Sequence, residues 1–114
     1  MKNYKIKKEN IKNILVWYGN AGCYASDRIV VDGCKVGYMY RETPENDDFD
    51  SGWRFLAGDE DEDYLDDPSH FDIYDLNTIC NYDSEIISLL DSDFDKAFYR
   101  DENGVFIEDN LEKE

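Results

Sequence analysis

The sequence lacks long apolar runs. No stretch approaches the roughly 20 consecutive apolar residues that a membrane-spanning helix needs. The N-terminal segment MKNYKIKKEN is basic, but it does not contain the apolar core of a signal peptide. We therefore expect a cytoplasmic protein without a membrane partner.

Cysteine and histidine are also scarce. Cys23, Cys34 and Cys80 are an odd number at wide spacing without a CxxC motif, so no disulfide framework is indicated. His70 is the only histidine, and no nucleophile motif lies beside it, so neither a histidine-based zinc site nor a catalytic triad can be assembled. Glycine-rich phosphate loops are absent as well. The sequence therefore predicts no catalytic residue, no metal and no cofactor.

Positive charge is nearly missing from the second part of the chain. Residues 1–41 hold eight Lys and Arg against three Asp and Glu, whereas residues 42–114 hold four against 25. The two parts carry +5 and −21, which sum to the net charge of −16. Such a surface repels nucleic acid and anionic lipid and attracts cationic partners. The simpler alternative is that the acidity only keeps the protein soluble.

The first part of the chain carries a helical pattern. Ile11, Ile14, Leu15 and Tyr18 follow the i, i+3, i+4, i+7 spacing of an amphipathic helix, which predicts a helix near residues 9–18. The same apolar run contains β-branched and aromatic residues, so a strand is the competing interpretation.

The next segments read as strands. Gly22–Ser26 and Arg28–Val31 look like a short strand and its continuation, ended by the turn-forming pair Asp32-Gly33, which predicts a hairpin leading into Val36–Glu42. Val36–Glu42 and Gly52–Gly58 both alternate, and we expect them to pair antiparallel.

The second half combines helical spacing with a hairpin. Ile73, Leu76 and Cys80 follow a helical spacing after the possible cap Asp72, and Asp83 can cap a short helix that follows it. The closing segments Ala97–Arg100 and Val105–Glu108 flank an Asn-Gly pair, which is a strong hairpin signal.

Together these patterns predict one domain over residues 1–114, with a charged tail at 109–114. The fold class that they indicate is α+β. We expect an antiparallel sheet with an N-terminal helix and one or two short helices in the second half.

The acidic run Asp59–Asp63 is the most conspicuous local feature. Calcium needs several carboxylate oxygens at once, but an EF-hand loop starting at Asp59 would require glycine at the position of Tyr64. Five consecutive acids cannot be packing residues, so we interpret them as a solvent-exposed contact surface. The predicted partner-binding residues are Asp59, Glu60, Asp61, Glu62 and Asp63 for electrostatic steering, with Trp53, Arg54 and Tyr64 as anchors.

Two alternatives stay open for these residues. Tyr38, Tyr40, Trp53, Phe55 and Tyr64 are large rings, which are more often needed for packing than for binding. The cluster Tyr40, Arg41, Glu42, Trp53 and Arg54 could instead border a small-molecule or enzymatic pocket of unknown reaction.

Four segments carry a family resemblance: VGYMYRE, DSGWRFLAGDED, YDLNTICNYD and AFYRDENGVF. In their order along the chain and in their residues, they resemble the immunity protein thirty-three-like family, formerly catalogued as a bacterial domain of unknown function. The resemblance extends from about Cys23 to Phe106. It implies a non-enzymatic cytosolic protein that binds a toxin of a bacterial polymorphic toxin system, normally encoded by the adjacent gene. A regulatory scaffold with an unrelated protein partner remains the alternative within this class.

Overall fold

A computed structural model describes residues 2–15, 22–43 and 50–110. Within these ranges the chain forms a six-stranded sheet with the strand order β4-β1-β3-β2-β5-β6. The strands are β1 (Gly22–Ser26), β2 (Tyr38–Arg41), β3 (Asp50–Leu56), β4 (Phe71–Asp75), β5 (Lys96–Arg100) and β6 (Phe106–Asn110). Strand β3 therefore lies near the middle of the sheet, between β1 and β2.

The sheet is mixed, which corrects the prediction of an antiparallel one. Strand β1 runs parallel to β3, whereas the other neighbouring pairs are antiparallel. The expected hairpin after β1 would have paired β1 with β2, but β3 is inserted between them. The predicted antiparallel pairing of β2 with β3 and the β5–β6 hairpin are confirmed.

A short helix explains why the hairpin after β1 does not form. Ser26 is the N-cap of helix α1 (Asp27–Val30), and its hydroxyl accepts a hydrogen bond from the Arg28 amide at 3.1 Å. The turn-forming glycine, Gly33, has φ +81° and donates its amide to Ile29 O at the end of this helix. A left-handed glycine ends helices as readily as it makes tight turns. The pair Asp32-Gly33 therefore ends a helix and does not form the predicted hairpin turn.

The predicted N-terminal helix is wrong for the described part of its range. Residues 8–10 form a single 3-10 turn, and residues 11–15 have no regular secondary structure. The amides of Ile14 and Leu15 donate to the Asn77 side chain, and the amide of Lys12 donates to Asn81. These distant side chains replace the carbonyls that a helix would have offered. Residues 16–18 lie outside the described residues.

The helices of the second half differ from the prediction at their starts. Phe71–Asp75 is strand β4, so α3 (Leu76–Tyr82) begins only after it, while α2 (Glu62–Leu65) is a single turn. Asp83 caps the following segment as expected, because it accepts from the Glu85 amide at 3.1 Å, although that segment is a 3-10 helix. A further 3-10 turn covers Pro68–His70. Among the described residues, no helix is long and apolar enough to span a bilayer.

The core lies on one face of the sheet, under α1, α3 and the 3-10 segment after Asp83. Its largest fully buried members include Trp53, Phe55, Met39, Ile79 and Leu90. Side chains alternate across a strand, so the residues between these sheet positions point away from α1 and α3. They form a second face of the sheet, which is only partly covered, because Leu65 of α2 and Pro68 lie against it.

Candidate functional site

The second face of the sheet carries mainly aromatic and aliphatic side chains, and we call it the open face. Several of them are strongly exposed, including Tyr24 at 39%, Tyr99 at 42% and Ile73 at 64%. The exposed members lie on the outer strands and on β1, and half-buried Tyr38, Tyr40 and Leu56 lie between them. An apolar patch on a sheet face marks an interaction site more often than scattered single residues do. The open face comprises Tyr24, Tyr38, Tyr40, Arg54, Leu56, Ile73, Tyr99 and Ile107.

Strand register arranges these side chains in two rows across the sheet. One row passes from Ile73 through Tyr24, Arg54 and Tyr40 to Ala97. The second row passes from Leu56 through Tyr38 and Tyr99 to Ile107. Directly opposed residues on neighbouring strands touch, so each row is continuous. The rings of Tyr38 and Tyr40 lie 5.9 Å apart and connect the two rows.

Arg54 lies in the first row and is neutralised by two carboxylates. Its Nε donates to Glu42 Oε2 at 2.6 Å, and its Nη1 and Nη2 donate to the two oxygens of Asp50 at 2.9 Å. The guanidinium also stacks on the Tyr24 ring, 4.6 Å from its centre. Burial alone would lower the pKa of Arg54, but the bonds to Asp50 and Glu42 outweigh it and raise the pKa.

The acidic run is partly used by the fold. Asp59 pairs with Arg28, and the hydrogen bond from this arginine lowers the pKa of Asp59. Glu60 accepts the amides of Ala57 and Gly58 at 2.8 and 2.9 Å. Asp61 caps α2 by accepting the Tyr64 amide at 2.8 Å. Glu62 and Asp63 are exposed in the first turn of α2, where negative charge is favourable.

The predicted anchors have different environments. Trp53 is fully buried on the core face, and its indole nitrogen donates to Leu90 O at 3.2 Å. The side chain of Trp53 is therefore a core residue that a partner cannot contact, in agreement with the alternative that the large rings are needed for packing. Tyr64 is half-buried and stacks on His70, with 3.9 Å between ring centres. Of the three anchors, Arg54 alone belongs to the open face.

The small-molecule cluster is divided by the sheet. Tyr40, Glu42 and Arg54 lie together, but Arg41 points to the opposite face. There Arg41 donates to Ser51 O and Ser92 O at 2.9 and 2.7 Å, and it stacks on Phe94. The five residues therefore do not border one pocket.

Two concave regions share the open face. The first, which we call the tyrosine cavity, has a volume of about 760 Å³ and is lined by Tyr38, Tyr40, Leu56, Leu65, Asp59 and Tyr99, among others. The second has about 600 Å³ and includes Tyr24, Glu42, Arg54 and Phe71. Tyr40, Leu56 and Leu65 contribute to both, so the two regions are continuous.

The tyrosine cavity combines neutral rings with negative charge at its rim. The phenols of Tyr38 and Tyr40 are uncharged at physiological pH, since the ordinary pKa of tyrosine is about 10 and burial raises it further in both. Asp59 and Glu60 line the cavity beside them. Among the described residues, no group of three or more His, Cys, Asp or Glu side chains could hold a metal ion.

Sequence reasoning missed the open-face members Tyr24, Leu56, Ile73, Tyr99 and Ile107. The signal was present as alternation, since Tyr24 lies between the small core residues Cys23 and Ala25. Alternation separates the two faces of a strand, but it does not say which face the helices cover.

Comparison with known proteins identifies a family. The family model described as the Immunity protein Imm33 domain matches residues 23–110. This range contains the six strands, except for the first residue of β1, and the whole open face. No curated protein and no solved structure matches the chain.

Proposed function

The chain belongs to the family of the Immunity protein Imm33 domain, and from this we propose that it binds a cognate bacterial toxin and neutralises it stoichiometrically, without catalysis. The family match is the observation that carries the proposal. The location that fits this role is the cytoplasm, where the toxin would otherwise act.

Charge supports a protein partner with a basic surface. The chain carries a net charge of −16, and the run from Asp59 to Asp63 lies beside the tyrosine cavity. Complementary charge raises association rates and selects against wrong partners. We expect Asp59 to contribute least to steering, because its charge is neutralised by Arg28, whereas Glu60 and Asp61 accept backbone amides and keep their charge.

A small-molecule function has less support. Its candidate cation, Arg54, is already held by Asp50 and Glu42, so an anionic ligand would have to displace them. Breaking such pairs leaves carboxylates without their counter-ion. The tyrosine cavity is moreover widely open on the sheet surface, whereas ligand pockets usually enclose most of a small molecule.

Co-expression tests the proposal. Cells that express the toxin encoded beside this gene should survive when the full chain is co-expressed, and the purified proteins should form a complex of fixed stoichiometry in calorimetry. An enzymatic function would instead protect at strongly substoichiometric amounts. Failure of rescue together with absence of complex formation would refute the immunity role and favour a scaffold with an unrelated partner.

A further inference from the structure

The open face has the composition of a binding surface rather than of an ordinary sheet surface. Its exposed members are tyrosine and isoleucine, and the carboxylates of Glu42, Asp59 and Glu60 lie at its margins. Tyrosine is enriched among residues that dominate binding energy, and a polar rim around an apolar centre is the usual interface anatomy. This composition favours a protein occupant of opposite charge.

Three arginines of the described residues stack on aromatic rings outside the tyrosine cavity. Arg54 stacks on Tyr24, Arg41 on Phe94 and Arg100 on Phe106. Among the residues that the structure describes, no arginine or lysine stacks on the rings of Tyr38, Tyr40 or Tyr99. Within the described part of the chain, the ring faces of these three tyrosines are therefore not occupied by a cation of the protein itself.

The cationic residues that line the tyrosine cavity do not fill it. The Arg100 guanidinium is directed to Asp83, Glu85 and Val36 O, with only 14% of its side chain exposed. Lys35 lies at the rim and is exposed. A cation entering from outside would meet neutral rings beside two carboxylates, of which Asp59 is shared with Arg28 and Glu60 also accepts two backbone amides. Aromatic rings next to carboxylates stabilise lysine and arginine side chains.

We propose that the partner toxin docks on the open face and inserts a lysine or arginine side chain into the tyrosine cavity, against the rings of Tyr38, Tyr40 and Tyr99. This inference rests on the proposed immunity function and identifies the surface and side-chain chemistry that the function uses. The occupant is a basic segment of the toxin, because a partner of the same charge as the acidic rim would be repelled.

Substitutions at Tyr99 test the aromatic part of the proposal. The probe is the adjacent-gene toxin, inactivated in its own active site, and the readout is its dissociation constant. Tyr99→Leu should weaken binding roughly 30-fold, as at an interface hot spot, while Tyr99→Phe should stay within about threefold because the ring is kept. Tyr4→Ala is the matched control, since Tyr4 is 38% exposed on the N-terminal segment and should leave affinity unchanged.

A charge change at the rim tests the cationic part. Lys35→Glu should tighten binding several-fold, whereas Lys7→Glu, which makes the same change on the N-terminal segment, should have a smaller effect because salt screens charges beyond about 10 Å. Thermal melting confirms that each variant is folded.

The outcomes separate this inference from the function on which it rests. If the wild-type chain binds the toxin but Tyr99→Leu and Lys35→Glu bind like wild type, the docking surface is wrong and the immunity function stands. Equal losses for Tyr99→Leu and Tyr99→Phe would refute the cationic occupant. If the wild-type chain does not bind the toxin at all, both the function and the docking inference are refuted.

Discussion

Asp83 and Arg100 form an ion pair with a fully buried carboxylate and an Nη2–Oδ2 distance of 2.5 Å. The same carboxylate oxygen accepts the Val36 amide at 3.1 Å, and Arg100 Nε donates to Val36 O at 2.8 Å. These contacts join the end of α3 to β5 and to the residues that lead into β2. Because β2 and β5 carry Tyr38, Tyr40 and Tyr99, the buried pair also positions the tyrosine cavity.

Removing this carboxylate should destabilise the fold strongly. Asp83→Ala leaves Arg100 and the Val36 amide without their buried partner, which we expect to lower the free energy of unfolding by about 3–5 kcal/mol. The control is Glu85→Ala, since Glu85 pairs with the same arginine but is 62% exposed and should cost at most about 1 kcal/mol. Urea denaturation measures both, and equal effects of the two substitutions would contradict this account.

The Arg54–Asp50 pair predicts a pH dependence of stability. The hydrogen bond from Arg54 lowers the pKa of Asp50 below its usual value, so the folded state favours the ionised carboxylate. That contribution is present above the unfolded pKa of about 4 and is lost as pH falls through the lower folded pKa. Wild type should therefore exceed Arg54→Met in unfolding free energy near neutral pH, and the difference should shrink toward pH ~2. A difference that grows on acidification would be inconsistent with the pair.

Gly37 should not tolerate a side chain. An added Cβ would lie 1.9 Å from Ala57 O, where backbone approaches backbone at the β2–β3 edge of the tyrosine cavity. We expect Gly37→Ala to cost about 3 kcal/mol, because sheet backbone must move to relieve the overlap. Gly104→Ala is the control: its φ is +80° but nothing lies within 4 Å, so the cost should be about 1 kcal/mol. Thermal unfolding compares the two, and a Gly37→Ala protein as stable as wild type would refute the close approach.

The three thiols should differ in reactivity. Burial raises the pKa of Cys80 to about 12 and also raises that of Cys23, and both side chains are almost completely buried. Cys34 is half-buried and has the more accessible sulfur. Since the thiolate is the reactive form, an aromatic disulfide reagent should label one thiol rapidly in the native protein and all three after denaturation. Rapid native labelling of Cys23 or Cys80 would contradict the packing described here.

The sequence could predict local features but not contacts between distant segments. The Asn103-Gly104 turn and the alternation of residues 52–58 indicated the β5–β6 hairpin and the two faces of β3, because both signals lie within a few residues. The N-terminal segment was misjudged because its partners, Asn77 and Asn81, lie more than 60 residues away.

The candidate site shows the same limit. The acidic run is visible in the sequence, but its use by Arg28 and by the backbone of residues 57–58 depends on the fold. Trp53 and Arg54 are neighbours in sequence and lie on opposite faces of the sheet. Trp53 lies in the core because the helices pack on its face of the sheet. The periodicity of the sequence does not show which face the helices cover.

Radical footprinting of the side chains, with and without the adjacent-gene toxin, reports which face of the protein the toxin covers. We expect oxidation of Tyr24, Tyr38 and Tyr99 to slow in the complex, while oxidation of Tyr4 and Phe94, exposed elsewhere, is unchanged. Protection of Tyr4 or Phe94 with unchanged rates at the three open-face tyrosines would contradict docking on the open face.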